Sequence, residues 1–310
     1  MNVLVTGGAG YIGSTLCEYL LNAGHKVTVL DSFLYSHDSL NLYYHNKNFE
    51  VVSLDVRDPE IKKYIKKNDI IIPLAALVGA SLCDYKKDET IQVNFDSIKT
   101  IVDNLSKDQI ILYPTTNSGY GIGQGDKHCT EDTPLNPISL YGKTKIRDEE
   151  YVEKHQNSTR FRLATVFGCS PRMRLDLLVN DFVFKSVKDK YIVLFESNFK
   201  RNYIHVRDVC RVFVMAINSF NKFKGETFNV GLSTANLSKL ELCQKIKQHN
   251  NNFEISLNEF GKDLDKRDYI VSNQKIERIG FKPEFSLDDG IIELIKLFKF
   301  LIPNNSMRNF

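Results

Sequence analysis

Paired cysteines are the plainest absence in this sequence. Its six cysteines, at positions 17, 83, 129, 169, 210 and 243, are scattered, and none forms a CxxC pair. That argues against both a structural zinc and a disulfide framework, and fits reduced thiols in a cytoplasmic protein. The seven histidines show no HExxH or other paired-ligand spacing, so no metal is expected. An excess of one charge is missing too. A net charge of +3 is too small to imply nucleic-acid binding. The lysine cluster at 61–67 carries apolar residues at helical spacing, and reads as a solvated helix face. No apolar run is long enough to cross a bilayer. The longest, 70–80, is interrupted by Pro73 and Gly79. No basic segment followed by an apolar stretch opens the chain, so no signal peptide and no membrane association are expected.

What is present is ordinary for a globular protein. The 310 residues are 42% hydrophobic and 25% charged, enough for one large domain or two modest ones. Short β-branched runs at 2–6, 26–30, 50–54, 70–74, 109–113 and 160–166 read as buried strands. Helical patterns at 11–23, 60–67, 90–106 and 140–155 lie between them. Such alternation predicts an α/β fold, a doubly wound parallel sheet covered on both faces. After Gly168 the alternation breaks. A helix at 177–188 and a strand at 191–195 follow, then a strand at 202–206 that should return to the sheet. We expect a Rossmann domain over 1–168, to which 202–231 crosses back. A smaller mixed α/β domain is expected from 169–201 and 232–310.

The first strand runs into Gly7-Gly8-Ala9-Gly10-Tyr11-Ile12-Gly13. Glycines 7, 10 and 13 after a strand and opening a helix are the context of a dinucleotide cradle. Missing side chains let backbone approach a pyrophosphate that sits on the helix N-terminus. Asp31 ends the second strand, 18 residues after Gly13, where a carboxylate accepts from an adenosine ribose and repels a 2′-phosphate. No Arg or Lys follows it until Lys47, which favours NAD over NADP. Asp55-Val56 reads either as a contact near the adenine or as a plain strand-end turn.

Tyr141 and Lys145 stand at i and i+4 of a predicted helix and so share one face. A neighbouring ammonium favours the phenolate, lowering the tyrosine pKa towards working pH. Such a phenolate takes a proton from a hydroxyl while a hydride leaves the same carbon. Tyr43 and Lys47 match the spacing by chance, but they follow the second strand, away from any catalytic position.

The glycine spacing, Asp31, Asp55-Val56, Leu74-Ala75-Ala76, Asn94 and Tyr141…Lys145, in this order, resemble the extended short-chain dehydrogenase/reductase family. More narrowly, the chain resembles the nucleotide-sugar epimerase/dehydratase group. The likeness continues through Phe167-Gly168, Pro171-Arg172, 201–209 and 228–231. The resemblance implies bound NAD and a nucleoside-diphosphate sugar held by the C-terminal part. It gives Thr116 the role of hydrogen-bonding the reacting oxygen beside Tyr141 and Lys145. It also gives Lys145 a contact to the nicotinamide ribose. Asn117 and Ser118 are expected at the substrate, and Asn180, Arg201 and Arg267 at its diphosphate, which suits bidentate guanidinium geometry. Relatives pair the helices at 90–106 and 140–155 into a dimeric bundle. Ile98, Val102 and Leu105 are apolar beyond what sheet packing needs, so a homodimer is expected.

Residues beside Thr116 narrow the implied chemistry. The similar 4,6-dehydratases carry an Asp-Glu pair after the threonine, and related decarboxylases a glutamate where Ser118 stands. Enzymes epimerising C3 and C5 place a cysteine there and a histidine after the Phe-Gly turn. Here Asn117, Ser118 and Cys169-Ser170 occupy those places, none of them an acid or base for elimination. Reversible oxidation of the sugar at C4 remains. It ends as a 4-dehydrogenase if the ketone leaves, and as a 4-epimerase with recycled NAD if it is reduced on its other face. The runs 72–80 and 113–123 resemble dehydrogenases of GDP-heptose in bacterial surface-polysaccharide pathways. Pro73 departs from a histidine common in relatives, and Thr165 from an asparagine. A 4-keto reductase, which would more often use NADPH, is disfavoured by Asp31. A catalytically silent NAD-binding regulator has no reason to keep Thr116, Tyr141 and Lys145 together. Cys83 and Cys169 are expected as small buried hydrophobes near the pocket, and His205 as a structural hydrogen-bonder.

Overall fold

A side-chain period of two divides the strands between two buried clusters. The structure is a computed structural model that describes residues 1–309 apart from 36, 124, 126 and 259–266. Along β1 (Asn2–Thr6), Val3 and Val5 enter one apolar cluster and Leu4 the other. The division repeats in β2 (Lys26–Asp31) and, beyond the edge strand β3 (Phe49–Ser53), in β4 (Ile70–Pro73) and β5 (Ile110–Thr116). Val27, Val29, Ile70, Ile72 and Leu112 face the first cluster, and Leu30, Ile71, Ile111 and Tyr113 the second. β6 (Ser158–Leu163) pairs with β5. β7 (Thr165–Phe167), β8 (Tyr191–Phe195) and β9 (Lys200–His205) then leave the sheet, and β10 (Thr227–Val230) returns to its edge.

The resulting seven-stranded sheet is parallel at every pair, in the order β10-β6-β5-β4-β1-β2-β3. Strand order reverses between β1 and β4, the switch point where open α/β sheets leave a crevice at their carboxyl ends. β11 (Asn236–Ser238) joins β9 and β7 in a three-stranded sheet, and β12 (Glu254–Asn258) pairs with β8. The expectation that 202–206 returns to the parallel sheet is therefore corrected. The strand there pairs with β7 and β11, and only β10 closes back onto β6.

Helices cover both faces. α1 (Tyr11–Asn22) supplies Leu16, Cys17 and Leu20 to the first cluster. α2 (Ile61–Lys67) supplies Ile61 and Ile65 to the second. After α3 (Ala80–Tyr85) and α4 (Lys87–Thr90), α5 (Ser97–Asp103) adds Ile98 and Ile101, and α6 (Leu140–Val152) adds Val152. The helix expected over 90–106 runs without a break from 87 to 103. A π-helical turn at Ile91–Asp96 widens it and aims the Asn94 amide at both backbone groups of Leu77 (2.8 and 3.0 Å).

α7 (Leu178–Lys188) and α8 (Val206–Asn218) continue the first cluster, in which Phe161 of β6 lies edge-on to Phe213 (5.2 Å). Such a fully buried phenylalanine contributes about 1.5–3 kcal/mol. α9 (Lys239–His249), α10 (Gln274–Arg278) and α11 (Leu287–Phe300) complete the C-terminal part. Asp208 of α8 accepts the backbone N–H groups of Glu284 and Phe285, tying that part to the parallel sheet's own layer. Among the described residues, no helix is long and apolar enough to cross a membrane.

Ile98, Val102 and Leu105 correct the reasoning behind the dimer. Ile98 is buried within this chain, and Val102 and Leu105 pack against the same cluster as Leu4 and Ile111. Sheet packing uses all three.

Candidate active site

β1 ends in a turn that only glycine fits. Gly7 has φ +70°, and a Cβ there would lie 2.5 Å from the Ala75 backbone nitrogen. A Cβ on Gly13 would lie 2.5 Å from the Gly7 carbonyl oxygen, so α1 packs directly on the turn. No side chain caps the N-terminus of α1, which leaves its first N–H groups to a ligand. Asp31, at the end of β2, accepts from Ala9 N (2.9 Å) and Phe33 N (2.8 Å) at the rim of this turn. Burial pushes its carboxyl above the usual range, opposed by those two backbone bonds. Backbone donors around an uncapped helix, with a carboxylate beyond them, fit a dinucleotide. Substituting Ala at Gly13 forces the cradle apart. Overpacking of about 1–3 kcal/mol corresponds to roughly ten- to hundredfold weaker NAD binding, which calorimetric titration would measure.

A cavity of about 680 Å³ opens from this cradle. Gly7, Gly10, Tyr11, Ile12, Gly13, Leu74 and Ala76 line it, and so do Thr116, Tyr141 and Lys145. Arg201 and Arg267 line the same cavity. Thr116 ends β5, where its hydroxyl accepts from Ser118 N (3.1 Å) and lies 2.6 Å from Ser118 Oγ. Ser139 caps α6 through Gly142 N (3.1 Å), which fixes the turn that presents Tyr141.

Several predicted residues are buried or bonded within the protein. Asn94 is buried and holds Leu77, and Val56 is buried in the second cluster. Asp55 takes a bidentate grip from Arg57 (2.9 and 2.6 Å) at a partly exposed turn. Asn180 spends its amide inside the protein, accepting from Gly168 N and donating to Tyr11 Oη and Arg174 O. Ala75 packs with the second cluster, and its N–H donates to Thr6 at 3.4 Å. Asn117 is buried, with neither amide atom hydrogen-bonded. Cys83 is fully buried, and burial pushes its thiol up to about 11. His205 is also fully buried, accepting from Arg207 N and meeting Glu293 at 3.0 Å.

The charge beside Tyr141 differs from the expectation. Burial pushes its phenol above the ordinary range, and the opposing cations are Arg267 and Arg174. Lys145 turns its amine instead to Tyr113 Oη (2.5 Å), because a buried carboxylate, Asp148, draws it there. Arg174, held by Asp176 at 2.6 Å, was not singled out from the sequence, nor were Tyr35 and Asn309. Arg172 lies over the Tyr35 ring (4.3 Å) and donates to Asn309 (2.7 Å), so the C-terminal tail lines the cavity. A contact across 137 residues leaves no local pattern to read.

Known proteins are similar to this chain in sequence and fold. The chain is 30% identical over 305 residues to the low-salt glycan biosynthesis protein Agl12 of Haloferax volcanii, covering 94% of this chain and 96% of the other. It is 25% identical over 309 residues to a putative UDP-glucose 4-epimerase of Methanocaldococcus jannaschii, covering 96% and 98%. Among solved structures, a UDP-glucuronic acid 4-epimerase from Bacillus cereus, in complex with UDP-glucuronic acid and NAD, superposes with a TM-score of 0.85. It is 23% identical, and the match covers 96% of this chain and 99% of that one. Residues 3–231 match the NAD dependent epimerase/dehydratase family. With NAD as cofactor and the site of an enzyme, the chain belongs to that family.

Proposed function

We propose that the chain oxidises C4 of a nucleoside-diphosphate sugar as a 4-dehydrogenase in surface-glycan synthesis, with GDP-heptose as the first substrate to test. One observation carries the reading: Thr116, Tyr141 and Lys145 share a cavity with Arg201 and Arg267, while Asn117 and Ser118 bring no second acid or base. NAD in the glycine cradle supplies the acceptor for the C4 hydride. Tyr141, as phenolate, takes the proton of the C4 hydroxyl. Thr116, whose oxygen already accepts from Ser118 N, gives its own hydrogen to the reacting oxygen. Arg201 and Arg267 hold the diphosphate. The resemblance of 72–80 and 113–123 to GDP-heptose dehydrogenases supports the sugar. The name of the Haloferax relative supports the glycan setting.

A 4-epimerase is the second reading, favoured by the name of the Methanocaldococcus relative. Incubation with NAD and a panel of GDP-, UDP- and dTDP-sugars separates the two. NADH absorbance at 340 nm with a 4-keto product is expected. A new C4 epimer without net NADH would establish the second reading, and no turnover of any sugar would contradict both.

We also propose the division into a cofactor part (1–168 with 202–231) and a sugar-nucleotide part (169–201 and 232–310), with the protein in the cytoplasm. We further propose a homodimer through α5 and α6. Light scattering at the monomer mass of 35.6 kDa would contradict the dimer.

A further inference from the structure

α6 buries two adjacent carboxylates, and they are treated differently. Glu149 is gripped by Arg162, whose Nε and Nη2 both donate to it (3.0 and 2.6 Å). Asp148 is fully buried yet has one hydrogen bond, from Tyr113 Oη (2.6 Å); its other oxygen has no partner. A carboxylate left so poorly satisfied is costly, and an aliphatic side chain would pack there more cheaply. The same Tyr113 hydroxyl accepts from Lys145 Nζ (2.5 Å), and that ammonium lies 4.2 Å from the centre of the Tyr113 ring. The chain Lys145–Tyr113–Asp148 thus runs from the cavity to a closed end inside the protein.

We propose that Asp148, acting through Tyr113, is a positioning residue for the reaction, fixing the Lys145 ammonium in place and in its charged form inside a dry site. This builds on the proposed C4 oxidation, because it concerns the lysine of that site. Tyr113 donates its one proton to Asp148, so its oxygen can only accept from Lys145. The lysine is thereby oriented by a group on β5, independent of its own helix. Burial alone drives the Lys145 ammonium towards the neutral amine, and Asp148 is the chief charge opposing it. Glu149 and Cys83 act in the same sense as Asp148. On the carboxylate's side, burial raises Asp148, while Lys145, Tyr113 and Arg147 oppose. Tyr141 faces Asp148, Cys83, Arg267 and Arg174. Removing the Asp148 charge therefore lets Lys145 lose its proton at lower pH.

A readout without any sugar tests this directly. The full chain, loaded with NAD and labelled with ¹³Cε-lysine, is titrated by NMR; the Lys145 signal is the one absent from Lys145→Met. In Asp148→Asn and in Asp148→Ser, the Lys145 midpoint is expected to fall by at least about one pH unit, with circular dichroism and NAD affinity unchanged. Given a substrate, the pH at which kcat stops rising moves down with it, while KM changes by less than about twofold. An unmoved Lys145 midpoint in either folded variant overturns the proposal. Failure of both variants to fold also overturns it, in favour of a purely structural carboxylate. Because the titration needs no substrate, failure of the C4-oxidation reading leaves its result standing.

Discussion

Tyr141→Phe is expected to lower kcat by roughly 10²–10⁴-fold, the usual worth of a positioned general base, while NAD still binds. The phenol lines the same cavity as the cradle, Thr116 and Lys145. Asn117 and Ser118, its nearest candidates by sequence, carry neutral side chains. The pH dependence follows from the charges around it. Burial holds the phenol above its ordinary range, and Arg267 and Arg174 pull it back. Sugar oxidation requires the phenolate, so the rate should rise with pH as Tyr141 loses its proton. Burial weakens the Lys145 ammonium as well, to about 8, so its proton leaves before that of the phenol and the rise should level off where it goes. Steady-state rates over a pH series measure the rise and where it levels. A wild-type rate in Tyr141→Phe would show that another group takes the proton.

Glu149→Ala should be the most damaging change to stability. Glu149 and Arg162 are both buried, their closest approach is 2.6 Å, and the arginine also donates to Tyr120 Oη and to Glu131 O. Truncating one member of a buried pair strands the other charge without compensation, at a cost of about 3–5 kcal/mol. The loss should appear in urea unfolding as a lower midpoint with little change in slope. Replacing the pair together, Glu149→Leu with Arg162→Met, should recover part of it, since no charge is then left alone. The bond ties α6 to β6, one turn beyond Lys145, so the single variant should also lose activity through a misplaced Tyr141. Unchanged unfolding of Glu149→Ala would mean that the pair contributes nothing net.

Local patterns in the sequence were a good guide to part of this architecture. Alternating β-branched residues of β1, β2 and β4 place side chains on two faces whatever else the chain does, and the glycines after β1 answer to the turn itself. Thr116, Tyr141 and Lys145 were legible because strand end and helix face are local properties. Pairing partners are not local. The run 200–205 looks like the other strands, but nothing within it says that it joins β7 and β11. Ile98, Val102 and Leu105 looked surplus because their cover, the second cluster, is assembled from segments spread between Leu4 and Val152. Asn94 and Asn180 lie beside the site but serve Leu77, Gly168 and Arg174. The Tyr113–Asp148 link joins a strand to a helix 35 residues on, and it redirects the lysine that spacing alone assigned to Tyr141.

The central claim is that this cavity removes a hydride from C4. Its most direct test is a single turnover with enzyme-bound NAD and a nucleotide sugar, chosen from the panel, that carries deuterium at C4. The account predicts deuterium on the reduced cofactor and a C4 ketone on the sugar, formed by the wild type and not by Tyr141→Phe. Deuterium retained at C4 of a converted sugar would contradict it.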